Sequence, residues 1–167
     1  MPFANRISQV MHDEHDATIA LMARLRQVIA QYPKGRSPEA NDLVLARLLT
    51  DLSVAIENEL ARHFLFEEEE LFSYLTVYGD AAIATHLMDE HVAIRRAGSA
   101  LVTLAGEGGA RGFDPPRWDE FRYHGQVLCD LLEAHVQKEE MALLPAIDEL
   151  MDSNTEMRLY ERYTETA

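Results

Sequence analysis

A single cysteine, Cys129, stands in the whole chain, so neither an internal disulfide nor an all-thiolate metal site can form within it. Basic residues are also scarce: 15 Lys and Arg face 29 Asp and Glu, for a formal charge of -14. That balance repels phosphate backbones and anionic lipid surfaces, so neither nucleic acid nor a membrane is expected as a partner. No apolar run approaches the roughly 20 residues that span a bilayer, and no secretory signal pattern marks the N-terminus. A reducing cytoplasm is the expected location. Strand signals are missing as well, and the few Gly and Pro residues fall in clusters.

What is present is enough apolar content, 47% of 167 residues, for one sizeable core, and the whole chain 1–167 is expected to form a single domain. Apolar residues recur at helical spacing from about Phe3 to Tyr32, before Pro33 and Gly35. Ser37 and Pro38 form a plausible cap and first turn for a second helix reaching Gly79. Asp80 can cap a third, whose stripe ends at the Gly-rich stretch 106–112, expected to be a loop. Asp114 and two prolines open a fourth, with a kink or break expected at Pro145 and a short helix in the tail. Long amphipathic segments with short connections predict an all-α, antiparallel up-down-up-down four-helix bundle.

The chain repeats itself. His63-x-x-x-Glu67-Glu68 recurs as His135-x-x-x-Glu139-Glu140, an offset of 72, and Asp89-Glu90-His91 echoes Asp13-Glu14-His15 at an offset of 76. Two helical hairpins, about 1–79 and 80–152, thus carry the same chemical positions and could pack about a pseudo-twofold axis. Residues four apart share a helix face, so His63 with Glu67, and His135 with Glu139, each set an imidazole beside a carboxylate. One such pair is usually a surface ion pair; two pairs with two matched histidines point to a metal site.

The set His15, His63, Glu67, His91, His135 and Glu139 offers eight donor atoms if each carboxylate bridges. Two six-coordinate ions need about twelve, and a shared oxo or hydroxo bridge leaves the site open to a small ligand. Nitrogen and carboxylate donors suit iron, with zinc or manganese possible. Burying these groups without a cation would be costly. A histidine-rich, carboxylate-poor site favours reversible binding or sensing over oxidative attack. Glu68, Glu69 and Glu140 are expected on a solvated face and Met22, Met88 and Met141 in the core, while His12, one turn before His15, could support the site from behind but reads more readily as an ordinary polar residue near the helix start.

With these motifs the sequence resembles the hemerythrin-like, or HHE cation-binding, domain family over nearly its whole length. The resemblance implies a four-helix bundle around a non-haem di-iron centre that binds dioxygen or nitric oxide, in roles of oxygen carriage, iron sensing and iron-sulfur cluster repair. Oxygen-carrying hemerythrins have two histidines four apart in the third helix, whereas His86 and His91 are five apart. A π-bulge between them would be needed to make His86 an additional ligand. The expectation is a metal-dependent binding protein for sensing, storage or protection. The alternatives are an enzyme acting on peroxide or ferrous iron, and a zinc-bound or metal-free structural bundle.

Overall fold

The computed structural model describes residues 3–39 and 42–165, which form an all-helical bundle with no strand among the described residues. Five helices follow in order: α1 Arg6–Gln31, α2 43–78, α3 Ala81–Arg111, α4 115–150 and α5 Ser153–Glu165. Three π-helical segments interrupt the longer helices without ending them, Ala55–Glu59 and Glu67–Leu71 in α2 and Glu139–Leu143 in α4.

Aspartates start four of the helices. Asp42, Asp80, Asp114 and Asp152 each accept backbone N–H groups of the first turn, which otherwise lack partners. Ser37 and Pro38 therefore do not open α2. Asp42 does so, five residues later, and its carboxylate also accepts the Tyr32 hydroxyl at 2.7 Å, tying the end of α1 to the start of α2.

Two expected breaks are absent. The Gly-rich stretch is helical as far as Arg111, and only Gly112, at φ 74°, leaves the helix. The reason lies at Gly108, where a Cβ would come within 2.0 Å of the Phe113 ring, so the missing side chain makes room for an aromatic that folds back on the helix. At Pro145 the chain also stays helical to Leu150. The proline ring would clash with the carbonyl four residues earlier, at Met141, but that residue lies in a π segment whose wider turn makes the room.

Around the bundle α1 touches α2 and α4, and α3 touches α2 and α4; α3 and α4 pack over a long stretch, whereas α1 and α2 meet over a short one. The interior is in two apolar parts. One includes Leu25, Leu52, Ile94, Leu101, Trp118 and Phe121. The other includes Ile7, Met11, Phe72, Leu87, Leu144 and, from α5, Leu159 and Tyr163. Met22 is buried as expected, but Met141 is exposed. Between the two apolar parts lies a polar layer formed by His15, His63, Glu67, His91, His135 and Glu139, all buried.

Two of the helical glycines, Gly108 and Gly106, make a paired test of this packing. Gly108→Ala should destabilise the protein by about 1–3 kcal/mol because Phe113 must move. Gly106→Ala meets nothing within 4 Å and should stabilise by about 0.5–1 kcal/mol in denaturant unfolding.

Candidate metal centre

Each of the four bundle helices contributes one histidine to the polar layer, and α2 and α4 each add a glutamate. Glu67 and Glu139 both open a π segment, and each carbonyl accepts the N–H five residues on, of Phe72 and Leu144 respectively. The 72-residue repeat seen in the sequence is thus a repeat of backbone geometry too. A π turn rotates each residue through a smaller angle than an α turn, so Glu67 and Glu68, or Glu139 and Glu140, both face inward.

The Nε2 atoms converge on the carboxylates. His15 Nε2 is 3.1 Å from Glu139 Oε2, His63 Nε2 is 3.2 Å from Glu67 Oε1, and His135 Nε2 is 3.1 Å from Glu139 Oε1. His91 Nε2 lies 3.4 Å from Glu67 Oε2. The imidazoles also meet in pairs, His15 with His63 at 3.2 Å and His91 with His135 at 3.0 Å between Nε2 atoms. Phe64 stacks on His91 at 3.6 Å and meets His135 edge-on, fixing both rings.

Each Nδ1 is held by a further carboxylate. His15 Nδ1 meets Glu140 at 2.7 Å, His63 meets Glu14 at 2.8 Å, His91 meets Glu68 at 2.7 Å and His135 meets Glu90 at 3.0 Å. These contacts place the proton of a neutral imidazole on Nδ1 and turn the Nε2 lone pair toward the centre. The outer carboxylates are themselves held by cations: Glu14 by Arg62 at 2.6 Å, Glu68 by Arg95 at 2.6 Å, and Glu90 by Lys138 at 2.5 Å. Glu140 also meets His12 Nδ1 at 2.9 Å, and Tyr163 of α5 donates to Glu14 at 2.5 Å.

With the imidazoles neutral, none of the four buried oxygens of Glu67 and Glu139 has a hydrogen-bond donor beside it. Buried carboxylates left in that state are costly, and the surrounding Nε2 atoms, as lone pairs, cannot relieve them. Cations can. The donors fall into two sets, His15, His63, Glu67 and Glu139, then Glu67, His91, His135 and Glu139, each with ligand atoms within 4.8 Å of one another. Both sets share both carboxylates, one oxygen of each facing each set. Nitrogen and carboxylate donors without thiolate form a set that could hold metal ions.

Without metal, protons are drawn to the same place. Burial disfavours a charged His63, but Glu67 and Glu14 outweigh it and push its pKa up to about 10. Burial likewise opposes charge on His15, yet hydrogen bonds to Glu139 and Glu140 raise it to about 9. Burial also favours protonated Glu67, but His63 and His91 hold its carboxyl well below the usual range. Burial works the same way on Glu14, Glu68, Glu90 and Glu140, and in each case hydrogen bonds to neighbouring groups lower the carboxyl.

The sequence model of the hemerythrin HHE cation binding domain matches residues 6–147. The chain belongs to that family. No curated protein matches it. The match covers the four helices that carry the polar layer and stops short of α5, so Tyr163 reaches this HHE domain's inner layer from outside the matched region.

The HHE domain brings together all six residues read from the repeat, and it leaves His86 out. α3 runs as regular α-helix through both positions, so the five-residue spacing turns His86 away. Its side chain is 59% exposed and pairs with Glu90 at 3.2 Å. Glu68 and Glu140 correct the expectation of a solvated face, since each is turned inward by the π segment that it sits in. Their recurrence as the second Glu of the repeated motif was a signal for that role, as was the Glu preceding His15 and His91. Glu69 does lie outward, paired with Arg162 at 2.7 Å. His12 joins through Glu140, and its place one turn before His15 was the signal for that supporting role.

Removing a carboxylate behind a ligand histidine should weaken metal binding about 10- to 100-fold, so Glu140→Gln should do so in a competitive chelator titration while Glu69→Gln does not. The metal-free protein has its own pH signature. His15 and His63 are raised above their unfolded value of about 6.5, so their contribution to stability is complete below that pH and lost as pH rises through about 9 to 10. The melting temperature of the metal-free protein should therefore fall across that range, while the metal-loaded protein, in which no proton is held there, should not follow it.

Proposed function

We propose that the protein is a non-haem di-iron protein that binds dioxygen or nitric oxide for sensing, storage or protection, built as an antiparallel up-down-up-down bundle and working in the cytoplasm. The observation that carries this reading is the convergence of four imidazole Nε2 atoms on four buried carboxylate oxygens, divided into two sets of equal composition. Membership of a cation-binding family supports it, and the donor types favour iron while admitting zinc or manganese.

The protein's part is to hold and orient. Glu67 and Glu139 fix the spacing of the two sets, the Nδ1 partners fix the tautomer and rotation of the imidazoles, and the apolar parts above and below exclude water. Two iron ions held there would supply the capacity to take up a diatomic ligand. The charge of -14 supports a small neutral ligand over nucleic acid or an anionic membrane.

A second reading, an enzyme acting on peroxide or ferrous iron, draws on the hydrogen-bonded chain from Tyr163 through Glu14 to His63, which can move a proton toward or away from the centre. Steady-state peroxide consumption separates the two. Anaerobic reconstitution with ferrous iron should give two irons per chain in a nearly colourless protein, and visible charge-transfer bands should develop on adding air or nitric oxide. Glu67→Ala and Glu139→Ala should each lower iron below one per chain, because each carboxylate serves both sets, and Glu69→Ala should not. A product that stays colourless in air and holds less than one iron per chain would overturn the assignment.

A further inference from the structure

The two hairpins carry the same chemistry but are not packed alike. Where α3 and α4 close tightly, α1 and α2 stand apart and leave a cleft of about 310 Å³ that His63 helps to line. The repeat itself shows what opened it. At the 76-residue offset Thr18 stands where the second hairpin has Ile94, and at the 72-residue offset Ala55 and Ile56 stand where it has Val127 and Leu128. Ile94 and Leu128 are fully buried, so the second hairpin fills the space that the first leaves open.

The π segment Ala55–Glu59 forms one wall of the cleft and, unlike the other two, has no counterpart: the equivalent residues 127–131 are regular α-helix. The other two π segments serve the carboxylates of the polar layer. This one bears no member of that layer, and such bulges tend to mark functional positions.

We propose that the cleft between α1 and α2 binds a neutral aliphatic molecule with a hydroxyl or hydroperoxyl end that faces His63. The size follows from the volume, about ten times the share of one water in the liquid and far beyond a diatomic gas. The aliphatic body follows from a lining dominated by Leu21, Met22, Ile56, Leu60 and Leu132. The oxygenated end follows from the polar groups, Thr18, Glu14, Arg62 and His63, within the same lining. Neutrality follows from Arg62, whose charge is matched by Glu14 at 2.6 Å and so leaves no cation for a carboxylate ligand. The inference rests on the di-iron reading only for what the oxygen would face; the cleft's affinity for the aliphatic body does not need metal.

The test is a titration of the full chain, as purified and again stripped of metal, with ethanol, butanol and hexanol, followed by amide and methyl NMR shifts. Affinity should rise about fourfold per added methylene, with shifts centred on Ala17, Thr18 and Leu21. Thr18→Ile and Ala55→Val, which install the second hairpin's own residues, should each weaken hexanol at least tenfold with metal content and far-UV circular dichroism unchanged. Affinity that does not grow with chain length, shifts centred instead on Ser99, Val102 and Thr103, which line a separate cavity of about 480 Å³ between α2 and α3, or undiminished binding in both variants would overturn the proposal. Hexanol binding in a chain that takes up no iron would leave it standing and defeat the di-iron reading instead.

Discussion

Mutual repulsion at the centre is the constraint around which this bundle is organised. With the imidazoles neutral, four lone pairs and two carboxylates point at one another, an arrangement that an apolar interior can hold only against a matching positive charge, whether metal ions or protons. Much of the remaining polar structure manages that strain. The carboxylates behind the imidazoles bring further negative charge, and Arg62, Arg95, Lys138 and His12 stand behind them in turn. Charge therefore alternates outward from the centre, carboxylate after imidazole and cation after carboxylate, until solvent takes over.

The helix backbone is shaped by the same demand. An α-helix that turns Glu67 inward would carry Glu68 well round its circumference, yet His91 needs Glu68 on its outer nitrogen. Widening the turn at Glu67–Leu71 meets both needs, and Glu139–Leu143 repeats the solution while making room for Pro145. A departure from regular helix, ordinarily a local cost, here serves two histidines and a proline at once.

Much of this was legible in the sequence, and for a physical reason. Helical periodicity marks the long helices, and aspartates mark the starts of α3 and α4, because capping is a local interaction. The six residues of the polar layer stood out because they recur at closely matched offsets, not because any one motif was strong. Less legible were features that depend on what lies across the bundle. The start of α2 at Asp42 reflects the Tyr32 hydroxyl as well as a local cap; helix through 106–111 depends on where Phe113 folds; the inward turn of Glu68 and Glu140 depends on π geometry that α periodicity misplaces. The hydroxyl of Tyr163 reaches Glu14 across 149 positions of the chain, and no local pattern announces it.

The bonds behind the histidines cross between hairpins as well as within them. His15 leans on Glu140 and His91 on Glu68, while each donor set takes one of its carboxylates from the opposite half. Neither hairpin alone is a complete cation site, so whatever fills the centre also sews the halves together. A single hairpin would have to meet a second copy of itself to assemble such a cage, and in this chain the two halves are joined as one covalent unit.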